Sequence, residues 1–114
     1  MININGRDWR ILIVSSNHPA LMRENGSFTL GCCDDNVSSI YIVEGLTDTY
    51  FRKVLCHELV HACMYSYNTS LNEYQEEILA DLIATYGQEI ISITNSIFCR
   101  LAGCRNEKNG CSMN

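Results

Sequence analysis

A chain of 114 residues with 46% hydrophobic content holds material for one core and too little for a second catalytic domain. Its net charge of −5 and its eight scattered Lys and Arg residues exclude the clustered cationic surface that nucleic-acid phosphates require. No basic region precedes a long apolar run at the N-terminus, so neither a leader peptide nor a membrane span is expected and the chain reads as cytoplasmic.

In chain order, "WRILIV" at 9–14 is rich in β-branched and aromatic residues and predicts a first strand, closed off by "SSNHP", where Pro19 bars further ladder pairing. A turn signal at Asn25-Gly26 leads into "FTLGCC", and "DDNVSS" separates that run from "IYIVEG" at 40–45. These two runs are expected to pair as a hairpin. From residue 48 the period changes: Phe51, Leu55, Leu59 and Ala62 recur at helical spacing, which predicts a helix over 48–66 with Thr47 or Asp48 as N-cap. Ser70 and Glu73 form an S-x-x-E pattern that predicts a second helix from about 71, with Gly87 ending or kinking it before the apolar segment "QEIISITNSIFCRLAG".

The fold expected from this order is α+β, with about three strands in the N-terminal half packed on the first helix and one or two further helices behind it. Residues 1–103 are expected to form a single domain and 104–114 a polar, flexible tail. Seven cysteines form no CxxC pair, so in a reducing compartment most are expected as free, packed thiols rather than metal ligands.

The chemistry concentrates in "VLCHELVHACMYSY" at 54–67. His57 and His61 are one helical turn apart and project from one face, a spacing at which two imidazoles can bind one cation. Glu58, about 100° around the helix, can lie beside a zinc ion without ligating it and take a proton from water. A helix that merely carries two histidines is the competing reading. Against it, Leu55, Leu59 and Ala62 lie on the opposite side, so one face can be buried while the other lines a cleft.

A catalytic zinc ion takes three protein ligands, so a third must come from elsewhere. His18, upstream in a loop, is read as an ordinary loop histidine. The second helix offers Glu73, Glu76, Glu77 and Asp81. Glu77 and Asp81 share a face with Ala80 and Ala84, small residues that favour a close helix approach, and Glu77 is the expected ligand with Glu76 the next candidate. Asp81 is expected to accept a hydrogen bond from a ligand imidazole and fix its tautomer. A solvated stripe of Glu73, Glu77 and Asp81 opposite Ile78, Leu82 and Tyr86 is the plainer alternative.

"HELVH" followed by "EEILADLIATYG" resembles the zincin metallopeptidases, and Glu77-x-x-x-Asp81 looks like the ExxxD element of their glutamate-ligand branch. The order of strands, "HELVH" and an acidic helix looks most like compact phage-encoded zincins and, more loosely, the ImmA/IrrE group. The resemblance covers residues 28–90 and implies a zincin-like domain, a Zn²⁺ cofactor, and an extended protein or peptide substrate along an edge strand. It also implies a host-cell cytoplasmic setting if a phage encodes the chain. Zinc would then activate water and polarise the scissile carbonyl while Glu58 acts as general base and then acid. Tyr65, four residues after His61, is a candidate oxyanion donor that more commonly packs, and the sequence does not separate it from Tyr67 or Tyr86. A non-catalytic zinc-stabilised protein that docks a partner is the alternative, favoured by small size and disfavoured by Glu58, for which a structural site has no use. Neither nucleic acid nor membrane is an expected partner, and the oligomeric state is open.

Overall fold

The computed structural model describes residues 1–103; the expected tail, 104–114, lies outside them. The chain forms two compact units, Met1–Ala84 and a second beginning at Thr85. The first is a small α+β domain carrying a four-stranded mixed sheet of order β1-β2-β4-β3.

Strand β1 (Ile2–Ile4) pairs antiparallel with β2 (Arg7–Val14). Four strands therefore replace the three expected, and the additional one is β1. Its signal was the dipeptide Asn5-Gly6: both residues have positive φ, 52° and 83°, as a two-residue type I′ hairpin loop demands. The expected hairpin of the later runs is present as β3 (Gly31–Asp34) antiparallel to β4 (Ser39–Val43), while β2 and β4 pair in parallel. The crossover between β2 and β4 includes a 3₁₀ turn, Pro19–Leu21, with Leu21 fully buried. His18 caps that turn by accepting a hydrogen bond at Nδ1 from the Ala20 N–H, and its ring stacks on Tyr41.

Helix α1 (Asp48–Tyr67) starts at Thr47, whose hydroxyl accepts from the Tyr50 N–H, and ends at Asn68, which takes a left-handed conformation and donates back to Met64 and Tyr65. Trp9 on β2, Ile40 and Ile42 on β4, and Ala62 on α1 form the fully buried core, with Phe51, Leu55 and Leu59 packed against it. The apolar side of α1 thus lies on the sheet, which turns its other side outward at His57.

Helix α2 (Glu73–Leu101) begins later than the Ser70–Glu73 pattern predicts. The reciprocal cap is formed two residues on: the Asn72 side chain accepts from the Gln75 N–H, and the Gln75 side chain accepts from the Asn72 N–H. Gly87 neither ends nor divides the helix, so one further helix is present where one or two were expected. In the second unit, Tyr86, Ile90, Ile93 and Ile97 are exposed. Cys32, Cys33, Cys56 and Cys63 are free thiols, as expected, whereas Cys99 is disulfide-bonded. No described helix is long and apolar enough to cross a membrane.

Candidate metal centre

Near the middle of α1, His57 and His61 stand one turn apart with ring centroids 5.0 Å from each other. The connection from Asn68 to Asn72 returns the chain so that α2 passes these residues in the opposite direction: Glu76 meets His61, Glu77 meets both imidazoles, and Asp81 meets His57. All of these side chains belong to the first unit.

The two nitrogens of each imidazole have different partners. On the Nδ1 side, His61 is hydrogen-bonded to Glu76 Oε1 at 2.6 Å, and His57 lies 3.0 Å from Asp81 Oδ1. A carboxylate can only accept, so each of these neighbours favours a proton on Nδ1 and leaves Nε2 as a lone pair. On the other side, the two Nε2 atoms face each other at 3.2 Å, and Glu77 presents Oε1 at 3.2 Å to His57 and Oε2 at 2.9 Å to His61. Electron-rich atoms gathered this closely repel one another unless a proton or a cation lies among them.

The donor set of His57, His61 and Glu77, all within 4.8 Å of one another, fits zinc. With ligand bonds of 2.0–2.1 Å, a tetrahedral ion separates its ligands by roughly 3.3 Å. The spacings of 3.2, 3.2 and 2.9 Å lie near that value. Two imidazoles and one carboxylate also leave a fourth tetrahedral position for water.

Glu58 takes part in none of these pairs. It is 8% exposed, and burial pushes its carboxyl above the ordinary carboxylate range; Glu77 adds to this, and the two histidines oppose it. Strand β3 crosses beside it. An added Cβ on Gly31 would lie 2.7 Å from Val54 Cγ1 and 3.1 Å from Glu58 Oε2, so only glycine lets the strand come this near. Burial also raises the thiols of Cys32 and Cys33, and Glu58 reinforces it, so both stay protonated and offer no thiolate donor.

No protein-family model, curated protein or solved structure matches the chain significantly.

Two clefts, of about 500 and 490 Å³, share Gly31, His57, Glu58 and Glu77 in their walls. One extends along the first turns of α1 to Tyr50 and Lys53; the other extends past His61 to Tyr65. Tyr65 stacks on Trp9 with ring centroids 6.3 Å apart, and burial raises its hydroxyl so that it remains a donor.

The residues singled out in the sequence are brought together as follows. His57, His61 and Glu77 converge, and Asp81 lies against His57. Glu76, weighed only as an alternative ligand, lies on the Nδ1 side of His61, away from the converging donors. Gly31 and the cleft residues Arg23 and Lys53 carried no recognisable pattern in sequence.

Proposed function

We infer that this protein is a zinc-dependent peptidase built as a compact zincin-like domain, with His57, His61 and Glu77 holding the metal and Glu58 as general base. The observation that carries this reading is the division of labour among the acids. Three carboxylates are committed to the imidazoles, while the fourth, Glu58, stands apart, buried beside an edge strand.

Bound zinc would supply a water of lowered pKa and polarise the scissile carbonyl. Glu58 would take a proton from water as the water's oxygen bonds to the carbonyl carbon, and would pass it to the amine as the C–N bond breaks. Its raised pKa suits both halves of this exchange, because a carboxyl poised nearer neutrality is a better acid after it has served as base. Glu76 and Asp81, facing Nδ1 of the imidazoles, would hold them in the tautomer that leaves Nε2 free to ligate.

A peptide has an obvious path. Strand β3 is an edge, and the Leu30 carbonyl accepts from the Val43 N–H. With Gly31 opposite Ile42, the alternation of an antiparallel ladder turns the N–H and C=O groups of Gly31 and Cys33 away from β4, where an extended chain can pair with them.

The test is zinc content together with cleavage of a peptide library. Glu58→Gln should keep stoichiometric zinc and lose turnover by at least about 100-fold, whereas His57→Ala should lose both. Turnover that survives Glu58→Gln removes the proposed base. Full zinc with an inactive wild type would instead favour a zinc-stabilised docking protein.

A further inference from the structure

The two clefts differ in their cations: Arg23 borders both, and Lys53 borders one. The cleft running toward the start of α1 has two cations in its wall, Arg23 and Lys53, in a chain with thirteen acidic side chains against eight basic ones. Neither cation has an ion-pair partner among the described residues; the only pairs formed there are Arg7 with Asp35 and those of the histidines. Three carboxylates share this cleft: Glu58 is buried, and Glu77 and Asp81 already face His57. An excess of acids elsewhere has not neutralised these two positions, so their charge is available to a ligand.

The placement of Arg23 is built rather than incidental. The Asn25-Gly26 turn folds 22–28 back on itself, with the Arg23 N–H bonded to the Ser27 carbonyl and Met22 bridged to Phe28. The guanidinium then reaches Thr29 Oγ1 at 3.3 Å. Phe28, Leu30 and Tyr50, each between 39% and 51% exposed, form the apolar part of the same wall. Cations beside exposed aromatic and aliphatic surface make a site of mixed character.

We propose that this cleft selects extended peptide segments in which an acidic side chain neighbours a bulky apolar one. Arg23 and Lys53 take the carboxylate, and Phe28, Leu30 and Tyr50 take the apolar group. The path of the segment along β3 rests on the peptidase reading; the charge preference rests on the cleft itself.

The experiment uses the full chain carrying Glu58→Gln, loaded with zinc, and fluorescent peptides identical except for Glu or Lys at successive positions, with binding read by anisotropy. At one or two adjacent positions Glu should bind about tenfold more tightly than Lys, the combined effect of two exposed ion pairs. The gap should narrow as salt rises. Arg23→Glu with Lys53→Glu should reverse the preference, and Arg23→Gln with Lys53→Gln, a milder change, should abolish it; zinc content and circular dichroism check that each variant is folded. Equal binding of the two peptide series, no binding of either, or a preference untouched in folded variants would overturn the proposal. Wild-type digestion of the same peptides separates the two readings. Charge-selective binding without cleavage defeats the peptidase and leaves the acidic preference standing; cleavage indifferent to charge does the reverse.

Discussion

At His61 the two ring nitrogens face different acids, which ranks those acids as candidate ligands. Glu77 faces Nε2 of both histidines, and Glu76 faces Nδ1 of His61. Glu77→Gln should therefore weaken zinc affinity more than Glu76→Gln, for which a loss of about 10- to 100-fold is expected. Competition with a chromophoric chelator measures both, and the reverse order would transfer the ligand role to Glu76. Spacing alone could not rank them: they are adjacent in sequence and about 100° apart on the helix, and only the direction of α2 past α1 decides which meets which nitrogen. Gly31 offers a second residue-scale prediction. Because its Cβ would lie 2.7 Å from a branched valine and 3.1 Å from Glu58 Oε2, Gly31→Ala must push the strand or the carboxylate aside. Zinc should remain bound while turnover falls by about tenfold or more, since small misplacements of a base are costly. Unchanged turnover would show that Glu58 tolerates the displacement and that the close approach has no catalytic meaning.

Among the elements, α1 was the most legible. Its apolar period, its Thr47 cap and its histidine face are all local properties, and they place it at Asp48–Tyr67. The start of α2 is ambiguous in sequence because two overlapping cap patterns compete, Ser70–Glu73 and Asn72–Gln75. The second prevails in the structure with both reciprocal bonds formed, at 2.8 and 3.0 Å. The phase of Glu76, Glu77 and Asp81 depends on that start. Asn72→Ala should cost about 1 kcal/mol of stability, lowering the thermal midpoint by several degrees, while Ser70→Ala should leave it nearly unchanged. Thermal melts of the two variants decide between the caps, and equal effects would mean that neither cap governs the helix start. Strand β1 is hard to read in sequence for a different reason. A three-residue strand has too few positions to display alternation, and only its Asn5-Gly6 loop announces it.

On the scale of the whole molecule, the concentration of acids around two imidazoles would make the proposed metal binding a contributor to stability. Glu76, Glu77 and Asp81 lie close together, and among the described residues their ion-pair partners are the two histidines. Zinc at one hundred times its dissociation constant should stabilise the chain by about 2.7 kcal/mol. Melts with and without a strong chelator measure this; coincident curves for the wild type, or an equal shift for His57→Ala, would mean that the site does not bind zinc as assigned. The sequence by itself determined the α+β class, the main hairpin, the helix that carries "HELVH" and the small set of acids able to complete a metal site, because each depends on period, turn chemistry or spacing within one element. Only the tertiary structure decided which acid faces which nitrogen, why residue 31 must be glycine, and how Arg23 comes to share a cleft with Lys53. Those are contacts between elements distant along the chain, set by how strands pair and helices pass, and no local pattern encodes them.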